Sequence, residues 1–282
     1  MVREAAVREA AVREAAVRVA AVQVSVDDAE EPLERRERVV SWLTDELGAD
    51  ESGGSRADLV VLPELWGPGA FNLARVRGGA EPLDGPFTQA MADLAVRLGA
   101  VLHAGSFPEI HDGGLSNTSV VFAPDGVLLA VYRKIHLFGF DTGEAAELTG
   151  GEAHEVVQTG LGATGLATCY DLRFPELFRH LTDAGAHAFL IPAGWPAARI
   201  RHWEVLATAR AIENQGVVVA CNAVGTAGGV TTGGTSLVLS ATGDELARGS
   251  ADREEILIVD VDPTVVTRWR EEFPALRDRR LR

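Results

Sequence analysis

Cysteine is scarce: 282 residues hold only Cys169 and Cys221. Two cysteines cannot build the multi-bridge framework of a small secreted domain, so a reducing, cytoplasmic setting is expected. Basic charge is also short, with 26 Lys and Arg against 41 Asp and Glu and a net charge of −15. Such a chain repels polyphosphate, which argues against nucleic acid as a partner. It gains nothing from an anionic membrane surface. No run of about 18 apolar residues occurs, so no membrane span is expected. The N-terminus lacks the apolar core of a secretion signal. The seven histidines show no HExxH pair and no Cys–His spacing, so no metal site is expected. No glycine-rich phosphate loop follows a strand.

Hydrophobic residues make up 46% of the chain, enough for a sizeable core. The first residues are a tandem: Val-Arg-Glu-Ala-Ala begins at Val2, Val7 and Val12, and a drifted copy begins at Val17. The composition favours helix, and Glu4–Arg8 is a favourable i,i+4 pair. Valines five apart, however, turn by about 140° from one to the next around a helix. They form no apolar face, so residues 1–17 are expected to be a frayed helix or a disordered extension. Residues 18–282 show no break in composition and are expected to form one domain.

Within that domain strands are expected over residues 19–26, 57–62, 101–106, 118–123, 127–132, 165–168, 187–192, 216–223 and 256–261. Weaker strands are expected at 156–157, 235–239 and 245–247. Helices are expected over 30–47, 86–98 and 200–214, and after Pro175 and Pro263. Pro124-Asp125-Gly126 reads as a hairpin turn. Residues 66–85 and 138–151 read as irregular, the first lying over a site. Strands such as 57–62 carry no polar alternate, as in a sheet covered on both faces. Helices alternate with strands, and hairpins interrupt the alternation. Two mixed sheets packed together, with helices outside, satisfy both patterns.

The chain is organised around Cys169. A short strand ends there, and Pro175 suits the first turn of a helix. A nucleophile at a tight strand-to-helix turn is exposed by the bend, with backbone N–H groups beside it. A lone cysteine in a strand is ordinarily core, so the reading needs partners. Two are present: Glu64 ends the apolar run 60–63, and Lys134 ends the strand 127–132.

The segments LPELW at 62–66, YRKIHLFGF at 132–140 and ATCYDLRFPELFR at 167–179 resemble the three signature segments of the nitrilase superfamily of carbon–nitrogen hydrolases. The resemblance runs from about Arg18 to about Arg280. It implies a four-layer α-β-β-α sandwich, in agreement with the pattern. It also implies a cofactor-free amidohydrolase with a Glu-Lys-Cys triad, often a homodimer or higher homo-oligomer. Cys169 would attack the amide carbon. Glu64 would take the thiol proton, since free cysteine is mostly protonated at neutral pH. Lys134 and the Tyr170 N–H would meet the oxyanion. Glu144 matches a second glutamate of the family, with Glu147 as rival.

The wider resemblance is to omega-amidase-type members, which act on ω-amides of α-keto dicarboxylic acids. A small carboxylate-bearing amide is therefore the expected substrate. Nitrilases and N-carbamoyl hydrolases share the triad, and a non-catalytic binding protein on this scaffold is the alternative of another class. Arg173 could bind the substrate carboxylate with its planar fork; against this, it could pair with Asp171 or Glu176 and brace a loop. His136 and Trp195 are candidates for the pocket wall, with plain packing roles as their rivals. Residues 233–243 depart from the family pattern, which leaves substrate choice open.

Overall fold

The computed structural model describes residues 16–48, 54–139 and 142–281. The extension expected over residues 1–17 falls outside them as far as residue 15. Its last residue does not belong to it: Val17 is 7% exposed and opens the first strand. The drifted repeat has Val19 where the earlier copies have glutamate. That exchange makes Val17 and Val19 alternate as a strand requires.

In chain order the strands are β1 (Val17–Gln23), β2 (Ser25–Asp27), β3 (Leu59–Val61), β4 (Val101–His111) and β5 (Gly114–Phe122). Next come β6 (Leu128–Arg133), β7 (Val156–Thr159), β8 (Gly162–Leu166), β9 (Ala188–Ala193) and β10 (Val217–Asn222). The last are β11 (Val224–Ala227), β12 (Val230–Gly233), β13 (Leu237–Leu239), β14 (Glu245–Arg248) and β15 (Glu255–Val261). The helices are α1 (Pro32–Leu47), α2 (Leu73–Gly78), α3 (Pro86–Leu98), α4 (Glu144–Glu147), α5 (Pro175–Asp183), α6 (Ile200–Asn214) and α7 (Thr264–Glu272). No described helix is long and apolar enough to cross a membrane.

Among the described residues the strands make two six-stranded mixed sheets, ordered β15-β1-β3-β4-β5-β6 and β14-β13-β10-β9-β8-β7. Side-chain alternation assigns the layers. Val19, Ala21, Leu59 and Val61 of the first sheet meet Leu166, Leu190, Val219 and Val238 of the second. Ala20, Val22 and Val60 point the other way, onto Val39 and Leu43 of α1 and Met91 and Leu94 of α3. On the far side Phe189, Ile191 and Val218 pack against Leu177 and Phe178 of α5 and Trp203 and Ala207 of α6. The result is the expected α-β-β-α sandwich.

The β5–β6 hairpin turns at the expected place. Gly126 adopts φ +82°, and the Ala123 N–H donates to the Val127 carbonyl at 2.8 Å. Several regions differ from expectation. The short helices α2 and α4 form within the stretches 66–85 and 138–151 that read as irregular, and β4 runs on to His111 past the expected 101–106. The strand expected over 19–26 breaks at Val24, and its second part, β2, joins β11 and β12 in a separate three-stranded sheet. No strand is expected from the sequence over 224–233, a stretch of glycine and threonine whose strands gain order from pairing, not from propensity. The nucleophile segment also differs: β8 stops at Leu166, and Cys169 lies in a 3-10 turn, Cys169–Arg173, ahead of α5.

Candidate active site

The site forms on the seam between the two sheets, just beyond the C-terminal ends of parallel strands, where α/β folds open crevices. Glu64 follows β3 in a loop clamped to β4. The Ser106 N–H donates to the Pro63 carbonyl at 3.3 Å, the Leu65 N–H to Ser106 Oγ at 3.0 Å, and the Trp66 indole to the Ala104 carbonyl at 3.0 Å. The clamp needs glycine at 105: its φ is +70°, and a Cβ there would lie 1.9 Å from the Pro63 carbonyl oxygen. Lys134 directly follows β6, and its N–H donates to the Asn117 carbonyl at 2.9 Å.

Cys169 sits at φ +48°, in the left-handed region. For a residue with a Cβ this costs roughly 1–2 kcal/mol, so the surroundings must hold it. Asp171 does so. Its Oδ2 accepts from the Thr168 N–H at 2.8 Å and the Tyr132 hydroxyl at 2.7 Å. Its Oδ1 accepts from the His136 N–H at 3.0 Å and lies 2.7 Å from His136 Nδ1. The buried carboxylate thus ties the cysteine turn to the lysine strand.

Four functional groups meet here. Lys134 Nζ donates to Glu64 Oε1 at 2.7 Å and to Glu144 Oε2 at 2.6 Å. Lys134 is 1% exposed and Glu64 3%. Burial alone would lower the lysine pKa, but Glu144 and Glu64 outweigh it and hold the ammonium well above its ordinary range. Burial raises the Glu144 carboxyl; Lys134 opposes that, and Glu64 adds to it. Burial, and then Glu64, push the Cys169 thiol well up against the pull of Lys134. The resting cysteine is therefore a neutral thiol. Glu64 also accepts from the Gly194 N–H at 2.9 Å, an anchor from the second sheet.

A cavity of about 190 Å³ opens above these groups. Cys169, Glu64, Lys134 and Glu144 line it, together with Tyr170, Arg173, Trp195, Phe138 and Arg199. Residues from the irregular 66–85 stretch, Ala70, Phe71 and Leu73, also border it. Glu147 lies outside, paired with Arg77 at 2.6 Å on the surface. His136 is not part of the wall. It stacks on Phe174 with centroids 3.7 Å apart and serves Asp171. Arg173 pairs with neither Asp171 nor Glu176. Its guanidinium lies 4.7 Å from the Trp195 ring centroid, with a loose 3.4 Å contact to His202 Nδ1. Cys221 is core: its thiol donates to the Val22 and Val61 carbonyls at 3.0 and 3.2 Å. Among the described residues no group of His, Cys, Asp and Glu is disposed to hold a metal ion.

Sequence reasoning missed Asn117, whose amide nitrogen bridges Glu64 and Glu144, and it missed the bracing by Asp171 and the presence of Arg199. It also passed over one signal. Lys134 is the only lysine in the chain; the other basic residues are all arginine.

A family profile described as carbon-nitrogen hydrolase matches residues 18–271. A 2-oxoglutaramate amidase of Paenarthrobacter nicotinovorans is 43% identical over 238 residues, 81% of this chain and 80% of that protein. A 2-oxoglutaramate amidase of Bacillus subtilis is 35% identical over 229 residues, 81% of this chain and 87% of its own length. A solved CN-hydrolase superfamily protein of Xanthomonas campestris superposes with a TM-score of 0.85 at 30% identity, covering 95% of this chain and 98% of its own.

Proposed function

The chain belongs to the carbon–nitrogen hydrolase family, and from that premise we propose that it hydrolyses the ω-amide of a small 2-oxo dicarboxylic acid through a thioester on Cys169. The observation that carries the reading is one cavity that holds both a reactive cluster and a cation. The thiol, Glu64, Lys134 and Glu144 lie together in it, and the Arg173 guanidinium, free of any carboxylate partner among the described residues, lines the same space. The two bacterial 2-oxoglutaramate amidases support a carboxylate-bearing amide.

The thiol is neutral at rest, so its proton must leave as the bond forms. Cys169 Sγ attacks the amide carbon, and Glu64 takes the proton. Charge develops on the carbonyl oxygen, where Lys134 Nζ and the Tyr170 N–H stabilise it. Glu64 returns the proton to the leaving nitrogen, and the C–N bond breaks. Ammonia departs and the acyl group stays on sulfur. A water then attacks the thioester, giving its proton to Glu64. The C–S bond breaks, sulfur regains the proton, and the acid leaves. Glu144 keeps Lys134 aimed throughout.

Ammonia release from a panel of amides, ureides and nitriles tests the reading. Amides carrying a distal carboxylate should be the best substrates; preference for a nitrile or an N-carbamoyl compound would overturn it. Arg173→Met should raise KM strongly for a dicarboxylic monoamide and spare a neutral amide of similar length. The loss is roughly 2–5 kcal/mol where the bound substrate buries the pair. Equal losses on both would assign Arg173 to structure.

The proposal includes a homodimer in the cytoplasm. Ile258, 51% exposed on the edge strand β15, supports a protein contact there. The unpaired state of Cys169 and Cys221 suits a reducing compartment. A monomer by light scattering at micromolar concentration would count against the dimer.

A further inference from the structure

Two guanidiniums border the cavity. Arg199, just ahead of α6, lines it together with Arg173. Its Cζ lies 5.4 Å from the Phe138 ring centroid. Arg173 Cζ lies 4.7 Å from the Trp195 ring and 5.8 Å from that of Tyr170. The Phe138 and Tyr170 rings meet edge to face with centroids 5.2 Å apart. The Trp195 indole closes the arrangement by donating to the Arg199 carbonyl at 2.9 Å. The contacts thus run as a connected series, Arg199 to Phe138 to Tyr170 to Arg173 to Trp195. Arginine is well held this way, because its flat face lies on a ring while its N–H edge can reach a ligand; the Arg173 edge makes only the 3.4 Å contact to His202 Nδ1.

That edge has no protein carboxylate to bind. Neither arginine forms an ion pair among the described residues. Several other arginines of the acidic chain do find carboxylates: Arg35 and Arg38 pair with Glu30, Arg133 with Glu109, and Arg210 with Glu213. Arg173 and Arg199 differ from the chain's other unpaired arginines in lining one cavity together, where a ligand can reach both. A single carboxylate occupies one fork, and the second needs another acceptor close by. A guanidinium only donates. It suits a carbonyl oxygen, which only accepts, and it repels an ammonium.

We propose that Arg199 is a specificity-determining residue: Arg173 takes the carboxylate, while Arg199 donates to an oxo oxygen on the adjoining carbon and turns away an amide whose adjoining carbon bears an ammonium. This rests on the amidase reading above, and it assigns the choice between 2-oxo and 2-amino acids to one side chain.

The test uses three monoamides of equal length, with a 2-oxo group, a 2-amino group or no 2-substituent. The wild type should favour the 2-oxo compound over the unsubstituted one and turn over the 2-amino compound least. Arg199→Met should cut the 2-oxo preference by roughly tenfold to a hundredfold, the worth of one charge-assisted hydrogen bond. It should also narrow the gap to the 2-amino compound. Arg199→Lys, which keeps a donor, should restore part of the preference. Arg173→Met should lower kcat/KM for the 2-oxo and unsubstituted compounds alike. Unchanged substrate ratios in Arg199→Met, or an equal loss on all three, would overturn the role of Arg199 and leave the amidase reading standing. Release of ammonia from none of the three by wild type would overturn both.

Discussion

Asn117 and Glu144 are joined by a 2.6 Å hydrogen bond from the side-chain amide, and the same nitrogen reaches Glu64 at 2.9 Å. One buried NH2 group therefore sets the orientation of both carboxylates beside Lys134. Its oxygen has no hydrogen-bond partner, so the demands of the two acids fix which way the amide points. Asn117→Leu should lower kcat on the order of a hundredfold with little change in KM, as expected when reacting groups are misplaced by about 1 Å. Asn117→Asp should do worse, because it sets a third acid against two. Steady-state kinetics on both variants decides it. A pure KM effect would show that Asn117 acts on the substrate instead.

The Cys169 thiol is held above its ordinary value by burial and by Glu64. A raised thiol pKa means that the proton stays on sulfur through neutral pH. Absorbance at 240 nm, wild type minus Cys169→Ala, should show no thiolate step below about pH 9. A step near neutrality would mean a preformed thiolate. The same variant should fold and lose turnover. Mass spectrometry of wild type quenched with substrate should find the acyl adduct on the Cys169 peptide; an adduct on Cys221 would sink the mechanism.

Lys134→Gln should cost about a hundredfold or more in kcat with a modest change in KM, because the amine is assigned to charge present in the transition state. Lys134→Arg keeps the charge but brings a broad planar fork into a gap between two carboxylates that fits one nitrogen. It should be comparably impaired. Retention of kcat by the glutamine variant would assign Lys134 to holding the two acids apart.

His103 on β4 is fully buried, and burial lowers its pKa to about 4 from the usual 6.5. The unfolded chain then binds the extra proton more readily between those values. This contribution to stability is complete above about pH 6.5 and is lost as pH falls towards 4. At 1.36 kcal/mol per unit the loss is roughly 3 kcal/mol. His103→Gln cannot titrate, so its urea-unfolding free energy should fall less between pH 7 and pH 4.5 than that of wild type. Parallel pH dependences would contradict the burial argument.

The sequence shows α3 and α6 at their observed bounds, and strong local signals frame α3. Pro86 opens α3, and Gly99 closes it at φ +60°. The cluster of Glu64, Lys134 and Cys169 was legible because each of the three follows an apolar strand. Glu144 could be separated from Glu147 only by the fold: they lie three residues apart on one short helix, with Glu144 turned to Lys134 and Glu147 to Arg77. Asn117 hides in a polar stretch of β5 that looks like a solvent face. It is buried only because the other sheet and the 144–147 turn cover it. Asp171 gave no sign of bracing, since its partners Tyr132 and His136 lie more than thirty residues upstream. Residue scarcity would have helped: the sole lysine and both tyrosines of the chain belong to this region.

The seam between the sheets also governs when the site can exist during synthesis and refolding. Glu64 is anchored by a backbone group 130 residues further on. The first sheet itself gains β15 only when Val261 reaches Val17, far back in the sequence. Contacts so distant in sequence form slowly, because the long loops must close first. A nascent chain that has already made Cys169 still lacks β15 and the strands that complete the second sheet. Glu64 and Cys169 therefore lack their full setting until those later segments have been made. After dilution from denaturant, hydrolysis should return with the slowest structural phase, well behind the recovery of helical signal.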